Sequence, residues 1–490
     1  MTKPQLCVTV TAPTTAELRE KRDAVTDADL IELRLDSVSD PNVAGALAGR
    51  RRPVIVTCRP PWEGGGFMGS EEERHRILAD ALALGAEYVD IEWRARFDDL
   101  LRSTGGRRLV LSSHDFTGMP ADLPAQVHAM RSTGAEIVKV AVRPHCLADC
   151  VPLLALGAEA SRHGAIVIIG MGEYGFSTRL LAGRFGSAWT YAGFLRDVGQ
   201  LAAPVLLKDY QFRSITGSTA VYGIVGGSVT HSVSPSMHNA AFRAARLDAV
   251  YLPLPAASAD DFLRFGRAIG ISGASVTIPH KVALFDRVDE VYSVARRIGA
   301  INTIRVADGK WIGDNTDASG FLHPLLDRVE LKGRRAAILG AGGAARAVVV
   351  ALASSGCTVR IHARNRARAE ETAALASGLV GPWPPEPESW DLLVNCTPIG
   401  MYPRVDQTPV PADQLTGRIV YDLVYNPSMT RLLREAVARG CHAIGGLDML
   451  VGQAHEQFQW WTGAKPPSGV MREAALKRLA EFVRDENHVV

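Results

Sequence analysis

Eight short β-rich runs punctuate roughly the first 200 residues: QLCVTV, LIELRLD, PVIVTCR, EYVDIEW, RLVLSSHD, EIVKVAV, AIVIIGM and SAWTYAG. Most are separated by stretches such as EERHRILADALALGA and LPAQVHAMRSTGA, whose apolar residues fall near helical spacing. Strands that all point the same way need a crossover between them, and an open doubly wound sheet rarely stops at eight equal units. The rhythm predicts an α/β fold that opens with a parallel (β/α)₈ TIM barrel. A second strand–loop rhythm starts at AVYGIVGG, after the short bridge LLKDYQFRSITGSTA. That bridge has little Pro or Gly, so a fairly rigid junction is expected. A chain of 490 residues has room for both parts.

A barrel places its chemistry at the C-terminal ends of its strands. Glu32, Arg34 and Asp36 close the second strand, Arg59 the third, and Asp90 and Glu92 the fourth. His114 closes the fifth, Lys139 lies on the sixth, and Arg179 follows the seventh in MGEYGFSTR. The net charge of +2 gives no reason to invoke nucleic acid or an anionic membrane. Arginines, acids, a histidine and a lysine converging on one mouth instead describe a site for a small anionic substrate. Lys139 stands alone in the apolar run AEIVKVAV. Burial among such neighbours and near other cations favours a neutral amine, the form that attacks a ketone. A nearby histidine can then move a proton at the carbon beside the iminium.

In the second half, RRAAILGAGGAARAVVVALASSG reads as strand, glycine turn and helix. Gly340, Gly342 and Ala345 fit a dinucleotide fingerprint in which the backbone approaches a pyrophosphate at the helix N-terminus. The next strand ends in Arg364, Asn365, Arg366 and Arg368, with no acid at its tip to meet ribose hydroxyls. Arginines there argue for the additional phosphate of NADP. Upstream, HSVSPSMHNAAF carries Ser232 and Ser234, GASVTIPHK carries Thr277 and Lys281, and GAINTI and GDNTDASG supply Asn302 and Asp317. Each alone reads as a turn or a cap. Together they form a cup of hydroxyls, amides, a lysine and an acid just before the dinucleotide module.

Residues 1 to about 208 resemble the type I 3-dehydroquinate dehydratases through ELRLD, TCRPPWEGG, DIE, SSHDF, VKVAV and MGEYGFSTR, in that order. The resemblance implies a Schiff base at Lys139, with His114 as the proton-transfer residue oriented by Glu63. It implies that Glu32, Arg34 and Arg59 hold substrate hydroxyls and that Arg179 clamps a carboxylate. The family's Ser-Ala-Pro-Gly-Gln lid is expected at LAAPVLLKD, where Ala202 stands for the serine and no glutamine follows Pro204. On that alignment the lid is altered and short, with Gln200 substituting from the other side as the less favoured alternative.

Residues 221 to about 480 resemble the shikimate dehydrogenases, which also carry NCTPIGM, YDLVYNP and GLDMLVGQAHEQF in this order. The resemblance implies a two-lobed unit, with an αβα substrate-binding lobe and a Rossmann NADP-binding lobe. Lys281 and Asp317 would be the catalytic pair. Ser232 and Ser234 would bind a carboxylate, and Thr277, Asn302, Asp317, Tyr425 and Gln453 the ring hydroxyls. Gly340, Ala341, Gly342, Gly343, Ala344, Asn365, Arg366, Arg368 and Thr397 would hold NADP(H), with Leu423 and Gly446 flanking its nicotinamide end. The threonine usual after Asn-Arg is missing and the next arginine lies closer. Both serines are retained, which favours shikimate over quinate.

The expected organisation is a dehydratase barrel over 1–208, a linker over 209–220, a substrate-binding lobe over 221–320 completed by helices in 455–490, and a Rossmann lobe over 321–454. The fused order resembles the bifunctional dehydroquinate dehydratase–shikimate dehydrogenases of plants and some bacteria. That resemblance implies dehydration of 3-dehydroquinate and NADPH-dependent reduction of 3-dehydroshikimate to shikimate, with no cofactor for the first step. Two alternatives are a dehydrogenase whose barrel is impaired by its lid, and a non-catalytic regulator derived from both enzymes. Small molecules are the expected partners, with no nucleic acid and no membrane. The longest apolar runs, AIVIIG and AVVVALA, are too short to span a bilayer, and MTKPQLCVTV lacks a signal-peptide layout. Seven scattered cysteines form no disulfide framework, and Cys146 and Cys150 lack a second ligand pair, so no metal is expected. A reduced cytoplasm is the expected compartment.

Overall fold

The structure is a computed structural model that describes residues 4–326 and 328–486. The eight runs read from the sequence form the strands Gln5–Val10 (β1), Leu30–Arg34 (β2), Val54–Thr57 (β3), Tyr88–Glu92 (β4), Leu109–Asp115 (β5), Ile137–Val142 (β6), Ala165–Gly170 (β7) and Trp189–Ala192 (β8). All pairs are parallel and follow the order β7-β6-β5-β4-β3-β2-β1-β8. A backbone bond of 2.8 Å from Ala188 to Ile166, at the entry to β8 and on β7, brings the two ends of the sheet together into a nearly closed barrel.

Two buried faces explain why the strands read as unbroken apolar runs. Successive side chains alternate, so Val138 and Val140 pack in the layer beneath the helices, while Ile137 and Ala141 fill the axis. Lys139 shares their parity and points inward.

The chain divides into two compact units. Unit 1 comprises the chain up to Ala220 together with Asp248–Gly270, and unit 2 comprises Val221–Leu247 and the chain from Ile271. In the stretch expected as a linker, Phe212 and Ile215 are buried and Arg213 meets Asp29 at 3.1 Å. Within unit 1 the helix Ala259–Ile269 lies against the loop after β6. Its buried Asp261 accepts the backbone N–H groups of Leu147 at 3.2 Å and Ala148 at 2.6 Å. A carboxylate with two orphan donors is well satisfied, which accounts for the grouping of 248–270 with the barrel.

Further strands follow as Ala220–Gly226 (β9), Ala249–Pro255 (β10), Gly273–Val276 (β11), Glu290–Val291 (β12), Thr303–Ala307 (β13) and Lys310–Asp314 (β14). In unit 2, β9, β11, β13, β14 and β12 lie side by side in a mixed sheet. The remaining strands are Arg335–Leu339 (β15), Thr358–His362 (β16), Leu379–Val380 (β17), Leu392–Asn395 (β18), Ile419–Asp422 (β19) and His442–Ile444 (β20). They are all parallel, in the order β17-β16-β15-β18-β19-β20. This is the doubly wound dinucleotide-binding arrangement, whose order reverses between β15 and β18. The helix Gly446–Thr462 returns to the mixed sheet, where Trp461 Nε1 donates to the Ile304 carbonyl at 3.0 Å and Phe458 packs on Phe242. Among the described residues no helix is long and apolar enough to cross a membrane, and all seven cysteines are free.

Candidate active sites

The barrel mouth is built from strand ends. One cavity is lined by Glu32, Arg34, Arg59, Glu63, His114, Lys139 and Arg179, the barrel residues to which the resemblance gives roles, while Asp36, Asp90 and Glu92 lie outside its lining. Lys139 Nζ lies 2.9 Å from Asp90 Oδ2 and 3.7 Å from Glu32 Oε1, with the ring of Tyr191 centred 4.5 Å away. Lys139 therefore sits in a buried ion pair and not among apolar groups alone. The apolar neighbours Val138 and Val140 point to the opposite face, and the partner comes from β4.

Arg59 joins the acids of this layer. Its guanidinium meets Asp90 at 2.9 Å, Glu92 at 2.7 Å, Ser112 Oγ at 2.8 Å and Glu63 at 3.5 Å. Glu63 sits on the turn Pro61–Glu63 with Oε2 3.2 Å from His114 Nδ1. Burial pushes the Glu63 carboxyl up to about 7, against the pull of Arg59 and with the help of Glu92 and Asp90. Burial, then the positive charges of Arg59 and Lys139, hold His114 well below the usual imidazole range. The imidazole is thus neutral and its Nδ1 is engaged, which leaves Nε2 to take a proton. Arg34 makes a two-pronged contact with Asp36, at 2.8 and 2.7 Å.

Arg179 is different. It is buried, and among the described residues no carboxylate lies within salt-bridge distance. Its Nη2 donates to the Val198 carbonyl at 2.5 Å, and its Nε has no partner. Burial lowers its pKa to about 10. A buried guanidinium with an unpaired donor and no counter-ion among the described residues has the chemistry to receive a carboxylate.

The lid departs from the sequence expectation. Ala202 and Pro204 lead into the helical turn Val205–Asp209 and do not line the cavity. Residues 193–200 cross the mouth instead, contributing Leu195, Val198 and Gln200 to the lining. Gln200 Nε2 donates to Thr9 Oγ1 at 3.1 Å, and that hydroxyl donates to Glu32 at 2.9 Å. Local resemblance alone puts the lid at the Ala203-Pro204 pair. Counting from the end of β8 reaches Gly199-Gln200 directly. Gly199 has φ of +73°, and a Cβ there would come within 2.7 Å of the Gly172 carbonyl.

In unit 2 a second cavity is lined by Ser232, Ser234, Thr277, Lys281, Asn302, Asp317, Tyr425 and Gln453, together with Ala344, Leu423 and Gly446. Lys281 Nζ forms an ion pair with Asp317 Oδ2, while Asp317 Oδ1 accepts Asn302 Nδ2 at 2.8 Å. Asn302 Oδ1 accepts the Thr316 N–H at 2.8 Å, and its Nδ2 lies 3.5 Å from Gln453 Oε1. Asp317 begins the helix Asp317–Leu326, so Lys281 and Asn302, from separate elements, fix its two carboxylate oxygens. Burial raises the Tyr425 phenol, which hydrogen-bonds Ser232.

The glycine turn fits a dinucleotide. Gly340 has φ of +101°, and a Cβ would stand 3.0 Å from Thr397 Cγ2. Gly342 precedes the helix Gly343–Ser354, and a Cβ on Gly343 would lie 3.1 Å from Lys281 Cδ. The turn carrying Ala341 thus leads a helix N-terminus to Lys281. At the tip of β16, Asn365 caps the helix Arg366–Ala374 by accepting the Arg368 N–H at 3.0 Å, and Arg366 meets Glu370 at 2.9 Å. Arg364 and Arg368 are exposed there with no acid at the strand tip.

Asp422 was not singled out from the sequence. Buried at the end of β19, it accepts Asn395 Nδ2 at 2.9 Å, the Val424 N–H at 3.1 Å and Thr430 Oγ1 at 2.6 Å. Asn395 in turn accepts Thr397 Oγ1 at 2.6 Å, so this acid braces both loops beside the cofactor turn. An acid closing the β-rich run IVYD was the available signal.

A barrel whose lysine is set among acids, joined to a dinucleotide fold with its own lysine–aspartate pair, defines a two-enzyme chain. Residues 6–216 match the type I 3-dehydroquinase family, 224–304 the shikimate dehydrogenase substrate binding domain, and 446–476 the shikimate 5'-dehydrogenase C-terminal domain. The chain is 35% identical to the chloroplastic bifunctional 3-dehydroquinate dehydratase/shikimate dehydrogenase of Arabidopsis thaliana, over 90% of this chain and 78% of that protein. It is 45% identical to the shikimate dehydrogenase (NADP(+)) of Moorella thermoacetica, over 52% of this chain and 92% of the relative. A solved shikimate dehydrogenase in complex with NADP+ superposes with a TM-score of 0.51 at 37% identity, covering 54% of this chain and 97% of that one. The chain belongs to the family of bifunctional 3-dehydroquinate dehydratase/shikimate dehydrogenases, and so joins a lyase to an oxidoreductase of the shikimate pathway.

Proposed function

We propose that the barrel dehydrates 3-dehydroquinate through a Schiff base on Lys139 and that unit 2 reduces the product, 3-dehydroshikimate, to shikimate with NADPH. The observation that carries the reading is one cavity lined by both the buried Lys139 and the buried Arg179, a guanidinium whose Nε has no partner. Arg179 receives the substrate carboxylate, which sets the ketone against Lys139. Glu32, Arg34, Arg59 and Gln200 surround the hydroxyls. Neutral His114, its Nδ1–H held by ionised Glu63, removes the proton beside the iminium carbon at Nε2 and returns it to the departing hydroxyl. No cofactor takes part in this half.

In unit 2, Ser232 and Ser234 take the carboxylate, and Thr277, Asn302, Tyr425 and Gln453 the hydroxyls. Lys281, paired with Asp317, donates a proton to the carbonyl oxygen. NADPH supplies the hydride when bound. The turn Gly340–Ala344, Asn365, Arg366, Arg368 and Thr397 hold it, with Leu423 and Gly446 beside the nicotinamide end. The serine pair favours shikimate over quinate. We place the domain boundaries at 208, 220, 320 and 454, and the protein in a reducing cytoplasm, which suits free cysteines.

The test supplies the full chain with 3-dehydroquinate and NADPH. Shikimate is expected to accumulate, and borohydride with 3-dehydroquinate alone is expected to leave an adduct absent from Lys139→Ala. No shikimate and no adduct would refute the assignment.

A further inference from the structure

The mechanism above uses Lys139 but leaves its buried partner without a role. Asp90 is fully buried on β4. Its Oδ2 faces Lys139 Nζ at 2.9 Å, and its Oδ1 receives Arg59 Nη2 at 2.9 Å and Ser112 Oγ at 2.6 Å. Glu32 is the second carboxylate near Nζ, at 3.7 Å, but its oxygens already accept Thr9 at 2.9 Å and Thr57 at 3.0 Å. Burial alone would favour the neutral acid, yet Arg59 and Lys139 outweigh it and hold Asp90 well below the usual carboxylate range.

We propose that Asp90 is the positioning counter-ion of the dehydratase lysine, aiming Nζ at the ketone and stabilising the iminium that replaces the ammonium. The inference rests on the assignment of Lys139 as the Schiff-base residue. Its charge balance is closed. As the C–N bond forms and the ketone C–O bond breaks, oxygen leaves as water with two of the three ammonium protons. One proton and one positive charge stay on nitrogen, and nothing is oxidised or reduced. Asp90 therefore faces a cation before and after this step and has no need to titrate. The neutral amine that attacks, its proton passed to the ketone oxygen, and the neutral carbinolamine that results leave Asp90 without that partner, which favours collapse to the iminium. In a low-dielectric interior this contact counts for far more than in water.

The test uses the full chain with 3-dehydroquinate and borohydride, following the Lys139 adduct by mass, with NADPH oxidation by 3-dehydroshikimate as an internal control for folding. Asp90→Asn is expected to slow adduct formation and kcat by about 100-fold, with KM within about threefold and the dehydrogenase rate within about twofold. Asp90→Glu and Asp90→Gln form a second pair, equal in size and different in charge, that serves if Asp90→Asn fails to fold. The glutamate is expected to trap at least about tenfold faster than the glutamine. Wild-type trapping rates in Asp90→Asn, or equal rates in the Glu and Gln variants, would overturn the counter-ion role. Absence of an adduct in the wild type would instead remove the Lys139 assignment, and this inference with it.

Discussion

Glu63 and His114 carry opposite consequences of burial. Each loses water, but desolvation penalises the charged form, so the acid moves up to about 7 and the imidazole moves down. Only the ionised carboxylate accepts the Nδ1–H and leaves Nε2 free as a base. Dehydration is therefore expected to rise between pH 6 and 8 along a one-proton curve centred near 7, and the curve should vanish in Glu63→Gln; a pH profile of kcat checks this. Stability runs the other way. A carboxyl whose folded pKa lies above its unfolded value binds its proton more tightly when folded. Its contribution is full below about pH 4.5 and is lost as pH rises through about 7, so the barrel should melt at lower temperature at pH 8 than at pH 5.5 with respect to this group. The reacting side chains themselves were legible in the sequence, because polar residues at the ends of apolar strands have few structural uses. Which acid at the mouth pairs with Lys139 was not. Asp90 lies 49 positions before Lys139, and nothing in either run announces the register that sets them face to face.

Among the elements, the loop after β8 is the clearest case in which spacing outranked local resemblance. Ala202 and Pro204 look like the middle of a lid, yet they begin a helical turn. The true crossing, 193–200, is held by the Gly193 N–H on the Leu201 carbonyl at 2.9 Å, by Arg179 on Val198 and by Arg143 on the Asp197 carbonyl at 3.3 Å. Its polar contribution to the cavity is Gln200, tied through Thr9 to Glu32. Gln200→Ala removes a hydrogen-bonding amide from the mouth and loosens that chain without touching Lys139 or His114. KM for 3-dehydroquinate is expected to rise about three- to tenfold, in line with the loss of one or two hydrogen bonds, while borohydride trapping at saturating substrate stays within about twofold. Steady-state kinetics of the variant decide it. The strand and helix elements were readable for a simpler reason: two-sided burial leaves continuous apolar runs, and in the barrel a crossover helix falls between each strand and the next.

For the whole molecule, the point of substance is that each half owns a complete set of charges. Lys139 is compensated by Asp90 and Glu32, and Lys281 by Asp317, and among the described residues no acid pairs with both lysines. Each cavity is also lined entirely by its own unit. Removing one lysine therefore leaves the other site's electrostatics intact. Lys139→Ala is expected to abolish dehydration while NADPH oxidation with added 3-dehydroshikimate stays within about twofold of wild type. Lys281→Ala is expected to do the reverse, lowering reduction by at least about 1,000-fold, as loss of a proton donor commonly does, and leaving dehydration unchanged. Given 3-dehydroquinate and NADPH, the second variant should accumulate 3-dehydroshikimate, visible by its ultraviolet absorbance, and an equimolar mixture of the two variants should restore shikimate. If Lys281→Ala slowed dehydration as well, the two sites would be energetically coupled, and the independence read from their separate counter-ions would be wrong.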